Sequence, residues 1–119
     1  MDITIEERPV GRVTVLDLVG KLTIDHGAER LKDKVNSLIA QGRTQIVLNL
    51  EGVPYIDSGG LGQLVASYGS VKKASGSLKL LNVSSRNHDL LSITRLVTVF
   101  DTFDSEAEAV QSFQALAHD

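Results

Sequence analysis

The 119-residue chain reads as an α/β protein built on a largely parallel sheet. A β-branched run at residues 13–19 and short, largely apolar runs at 46–50 and 78–83 alternate with stretches of helical periodicity. The middle run, Ile46-Val47-Leu48-Asn49-Leu50, is apolar at nearly every position, as in a strand covered on both faces. Strand, helix, parallel-strand units close right-handed almost without exception, so this alternation implies helices packed on a parallel sheet. The expectation is one domain over residues 1–119, with four or five strands, an N-terminal hairpin and four helices.

In order along the chain, Ile3-Thr4-Ile5 alternates, Pro9-Val10-Gly11 carries turn chemistry, and 13–19 makes a longer strand, so the first two strands form a hairpin. Asp25 is placed to cap a helix on which Ala28, Leu31, Val35, Leu38 and Ile39 recur at helical spacing, with Gly42 at its stop. After strand 46–50, a glycine-rich segment enters a second helix, where Leu61, Leu64, Val65, Tyr68 and Val71 share a face ahead of Ala74-Ser75-Gly76. Strand 78–83 follows, then a weaker helix over 86–94 carrying Leu90, Leu91 and Ile93, and a last short strand at 97–100. Asp104 and Ser105 can each cap a final helix with Ala109, Val110, Phe113 and Leu116 on its inner side. Glu106 and Glu108 fall in its first turn, where the helix dipole favours acids.

Composition narrows the function. With 42% hydrophobic and 23% charged residues, the chain matches soluble globular proteins, and no apolar run approaches the roughly 20 residues of a membrane span. The start, Met1-Asp2-Ile3-Thr4-Ile5-Glu6-Glu7, has acids where a signal peptide has bases, which predicts a cytoplasmic location. Without cysteine there is neither a disulfide framework nor a thiolate metal site. Twelve Lys and Arg stand against fifteen Asp and Glu, and the aromatics are two Tyr and three Phe, so the basic, stacking footprint of a nucleic-acid binder is missing.

The informative stretch is Tyr55-Ile56-Asp57-Ser58-Gly59-Gly60-Leu61-Gly62. A loop that leaves a strand here and turns into a helix sets a hydroxyl beside the unpaired N–H groups of a helix start, a good seat for phosphate. Three glycines beside one serine leave it accessible to another protein. The same residues also fit plain capping by Asp57 and Ser58, and local spacing does not separate the two readings.

Other chemistry fits less well. A serine hydrolase elbow needs glycine two residues before its nucleophile, where Ile56 stands. Gly60-Leu61-Gly62 starts a dinucleotide fingerprint, yet Val65 holds the third glycine position, Lys79 and Asn82 stand where the ribose-binding acid belongs, and no P-loop ending occurs. His26 at the first helix, His88 in a polar turn and His118 near the end have no metal-ligand spacing. No catalytic, metal or cofactor site is expected.

The segment 56–62, together with 46–50, Val53 and Leu18-Val19-Gly20-Lys21-Leu22, resembles the motifs of STAS domains, especially bacterial anti-sigma factor antagonists, whose usual central form is Asp-Ser-Ser-Gly-Leu-Gly. The likeness covers nearly the whole chain and implies the STAS (SpoIIAA-like) fold. It implies that Ser58 is phosphorylated by an anti-sigma factor serine/threonine kinase that itself binds the ATP, that phosphorylation releases the kinase, and that a PP2C-type phosphatase restores binding. The implied partner surface is Thr23, Asp25, Tyr55, Asp57, Ser58, Gly59, Gly60, Leu61 and Gly62. Gly59 replaces the family's second serine, and Thr23 stands where many members carry an acid, with Asp25 two residues on. A second implied role, without any sigma factor, is that of an accessory subunit in a lipid-transport ABC complex.

Overall fold

The computed structural model describes residues 3–116, with side chains through residue 113. Strands β1 (Thr4–Val10) and β2 (Val13–Val19) form the antiparallel hairpin; β3 (Gln45–Gly52), β4 (Ser77–Leu81) and β5 (Thr102–Phe103) add in parallel, in the order β1-β2-β3-β4-β5. Four helices, α1 (Ala28–Ala40), α2 (Ser58–Lys73), α3 (Ser85–Ile93) and α4 (Glu106–Leu116), and a short 3-10 turn at Leu96–Thr98 complete the chain.

The sheet is a middle layer. Leu16, Leu18, Ile46, Leu48 and Leu80 pack with Leu31, Val35 and Leu38 of α1, Leu61 and Leu64 of α2 and Leu91 of α3. On the opposite face Val13, Val15, Val47 and Leu81 pack under Ala109 and Phe113 of α4. Neighbouring residues of β2 and β3 thus belong to different cores, which is why those runs lack a polar alternation. Each fully buried leucine contributes about 1.5–3 kcal/mol to this sandwich. On the α4 side Lys79 is buried, donates to Ser112 Oγ at 2.7 Å and lies 4.5 Å over the Phe113 ring. Desolvation lowers its pKa. Nearby, Arg8 bonds both Asp17 and Glu106, and this guanidinium holds the Asp17 carboxyl below its usual range.

Several boundaries differ from the sequence reading. β1 continues through Pro9 to pair Val10 with Val13, leaving Gly11-Arg12 as the turn, with Gly11 at φ 63°. A sheet edge tolerates proline's missing N–H, so turn chemistry at Pro9 did not end the strand. Asp25 is exposed and is not the α1 cap; Gly27 holds that position at φ 93°. A Cβ there would meet the Lys21 carbonyl at 2.9 Å and Ile3 at 3.2 Å, so packing of the helix start on the N-terminal strand sets its boundary. At the other end Gly42, at φ 76°, does stop α1, with N–H bonds from Gly42 to Ile39 and Arg43 to Leu38.

On α2, Val65 points outward and Ser67 is buried in its place, accepting from Gln63. Residues 97–100 form no strand: Arg95 in the left-handed region (φ 63°) starts the 3-10 turn, and Phe100 is buried edge-on to Tyr68, with centroids 5.3 Å apart. That anchor delays the final strand to Thr102–Phe103. His88 lies on α3 rather than in a turn. Ser105 caps α4 by accepting from Glu108 N–H at 3.3 Å. The Leu116 side chain and His118 lie outside the described residues.

Because β2, β3 and β4 are parallel, the loops into α1, α2 and α3 all leave the carboxyl edge of the sheet. Open α/β sheets place their functional groups at this edge.

Candidate functional site

Ser58 is the first residue of α2, and Asp57 is its N-cap, with extended backbone at φ −93°. Asp57 Oδ1 accepts from Gly60 N–H at 2.8 Å and from Ile24 N–H at 3.2 Å, so one carboxylate both caps the helix and holds the loop between β2 and α1. Backbone bonds join the same two loops: Leu22 N–H to the Tyr55 carbonyl at 3.0 Å, and Asp57 N–H to the Leu22 carbonyl at 3.2 Å. Capping is therefore the work of Asp57. The Ser58 side chain is exposed, and among the described residues its hydroxyl has no hydrogen-bond partner. Of the two residues that could cap α2, Asp57 does so and Ser58 does not.

The three glycines have three different surroundings. A Cβ on Gly60 would lie 1.9 Å from the Leu22 carbonyl oxygen, so this position permits the contact between the loops. On Gly59 it would lie 2.4 Å from Ile24 Cβ, and Ile24 fills the space where a second motif serine would stand. On Gly62 it would meet nothing within 4 Å. Gly59→Ser should accordingly displace the Ile24 loop, weaken its bond to Asp57 and cost about 1–3 kcal/mol. Urea denaturation reads this directly, and a midpoint equal to that of the unsubstituted chain would contradict the packing described.

The residues singled out in the sequence fall into two groups. Asp25, Tyr55, Ser58 and Gly62 are exposed and Asp57 and Gly59 half-buried, whereas Thr23, Gly60 and Leu61 are buried. The Thr23 hydroxyl accepts from His26 N–H at 3.0 Å, which commits it to the turn before α1. Tyr68, placed by its periodicity on the apolar face of α2, packs against Phe100.

Sequence reasoning missed an apolar rim. Ile24 is 68% exposed and Ile93 80%. Between the segment 55–58 that opens α2 and helix α3 lies an open groove of about 580 Å³, whose lining includes Tyr55, Ser58, Arg86, Asp89, Leu90 and Ile93. Arg86 lies with its guanidinium carbon 4.9 Å over the Tyr55 ring. Ile93 could have been suspected from its position at the end of a weakly amphipathic helix; nothing local marks Arg86. Among the described residues no cluster of three metal-type side chains forms, and no helix is long and apolar enough to cross a membrane.

Comparison with known proteins agrees with this geometry. The STAS domain family matches residues 4–109. The anti-sigma-B factor antagonist of Bacillus subtilis is 32% identical over 111 residues, which is 93% of this chain and 100% of that protein. A Thermotoga maritima protein superposes with a TM-score of 0.84 at 27% identity, covering 91% of this chain and 92% of that one. The Bacillus cell fate determinant SpoIIAA in its phosphorylated form superposes at 0.73 with 26% identity, covering 92% and 99%. Sheet order, the Asp57-capped motif and these likenesses establish that the chain belongs to the STAS domain family, as a relative of the bacterial anti-sigma factor antagonists.

Proposed function

We propose that the chain is a cytoplasmic, non-enzymatic anti-sigma factor antagonist, acting as one STAS domain and switched at Ser58. Unphosphorylated, it docks on an anti-sigma factor that is also a serine/threonine kinase, and so frees a sigma factor for transcription. The kinase then uses its own bound ATP: Ser58 Oγ bonds to the γ-phosphorus, the bond to the leaving ADP breaks, and the hydroxyl proton passes to a base. The complex dissociates, and a PP2C-type phosphatase hydrolyses the ester.

The observation that carries this reading is the exposed, unpartnered Ser58 hydroxyl, relieved of capping by Asp57. A phosphoserine brings a charge of about −1.5 to −2, which a helix start accommodates through its N–H groups and dipole, so the domain stays folded. SpoIIAA, to which the chain is similar, is known in a phosphorylated form. Asp25, Asp57, Tyr55, Ser58, Gly59 and Gly62 would meet the partner, while Thr23, Gly60 and Leu61 hold the surface in shape. The transporter-accessory role has weaker support, since the curated relatives are named as anti-sigma factor antagonists.

The test is phosphate mapping after incubation with the candidate kinase and ATP. One phosphate on Ser58 and none on Ser58→Ala is the expected result. Phosphate at another residue, or none with a kinase active on its own substrate, would exclude the switch. Affinity purification that recovered a transporter ATPase in place of a kinase would favour the accessory role.

A further inference from the structure

We propose that Arg86 is the receptor, within the same chain, for the phosphoryl group on Ser58, and that the resulting ion pair closes the groove between the segment that opens α2 and helix α3. This rests on the reading of Ser58 as a phosphoacceptor and adds what the phosphate does once it is there.

Three observations support it. Ser58 and Arg86 line the same open groove, of about 580 Å³, ample for a phosphoryl group between them. Arg86 is uncommitted: among the described residues no carboxylate lies within ion-pair distance of it, although Asp57 and Asp89 line the same groove. And it is held in place. Its guanidinium rests on the Tyr55 ring, and the next residue, Asn87, is buried and donates to the Val53 carbonyl at 2.9 Å, which fixes the start of α3 against the loop that carries Ser58. A guanidinium stacked on an aromatic face keeps donors free at its edge and has little freedom left to lose when it pairs.

Arginine and phosphate form short, bidentate, charge-assisted bonds, the strongest class of hydrogen bond in proteins. A pair across the groove mouth would cover Tyr55, Leu90 and Ile93, the apolar groups a partner would otherwise reach. Phosphorylation would then act in two ways, by adding charge and by withdrawing an apolar cleft.

The experiment needs no kinase. Phosphoserine is installed at position 58 during translation, and the second phosphate ionisation, near 6 in isolation, is followed by phosphorus NMR in the otherwise unsubstituted chain, in Arg86→Gln and in Arg86→Lys. Asp57 and Asp89 in the groove, and Asp25 and His26 on the neighbouring loop, bear on the same titration, but they are common to all three proteins, so differences report Arg86. The expected result is a midpoint about 0.5–1 unit higher in Arg86→Gln, with Arg86→Lys in between. Arg86 is exposed, so these variants should fold. Equal midpoints in all three proteins would overturn the assignment. The phosphorus titration and kinase mapping are independent: unmoved midpoints with normal labelling of Ser58 would remove the Arg86 receptor alone, whereas the expected shift without labelling would remove the switch and leave the ion pair standing.

Discussion

Phosphoserine at position 58 is expected to weaken binding to the cognate anti-sigma kinase by about two to four orders of magnitude, while Ser58→Ala leaves it intact and Ser58→Asp falls between. The size follows from the surroundings of the hydroxyl. Ile24 and Ile93 are largely exposed, and Tyr55 and Leu90 line the groove beside Ser58, so docking on this face strips water from an apolar surface with Ser58 in its midst. Docking must then either desolvate a phosphate held on Arg86 or break that pair to reopen the groove, and either costs several kcal/mol, while each 1.4 kcal/mol or so is a tenfold change in affinity. Ser58→Ala removes a hydroxyl without a partner in the described structure, so stability should change by less than about 0.5 kcal/mol. Calorimetric titration of the purified kinase with the four forms makes the comparison. Equal affinities would show that the docking surface lies elsewhere on the molecule.

The second large effect concerns stability. Gly60→Ala should destabilise the chain by about 3 kcal/mol, or more if the loops separate, even though alanine is favoured over glycine in a helix by about 1 kcal/mol. The new methyl would stand 1.9 Å from the Leu22 carbonyl oxygen and 2.7 Å from its carbon, which are backbone atoms. That carbonyl cannot simply move away. It accepts from Asp57 N–H, and Leu22 N–H donates to the Tyr55 carbonyl, so a shift breaks the bonds that join the two loops. Gly62→Ala, two residues along the same helix, is the control. Its Cβ meets nothing within 4 Å, and there the helix preference should emerge as a gain of about 0.5–1 kcal/mol. Opposite signs in urea denaturation are expected, and a stabilised Gly60→Ala would disprove the close approach of Leu22 to α2.

Much of the fold was legible because its signals are local. The β-branched run of β2, the apolar run of β3, the periodicity of α1 and the glycine after it depend on residues within a turn or two of each other. The end of the chain was harder. Residues 97–100 have strand composition, but burial of Phe100 against Tyr68 of α2, about thirty residues earlier in sequence, decides that this stretch is not a strand. Asp25 and Val65 failed for a related reason, since both satisfy a local pattern that packing from elsewhere in the chain overrides.

For the site the division is sharper. From the residues alone came the serine, the acid before it, the glycines that follow and the helix they open. Which of Asp57 and Ser58 caps that helix, which glycine is indispensable, and which side chains surround the hydroxyl were decided only in three dimensions. Each answer depends on a contact between segments about thirty to forty residues apart in sequence: Ile24 on Gly59, Leu22 on Gly60, Arg86 on Tyr55. Capping preference and periodicity report energies between neighbours in the chain, whereas these contacts arise because parallel strands deliver successive loops to one edge of the sheet.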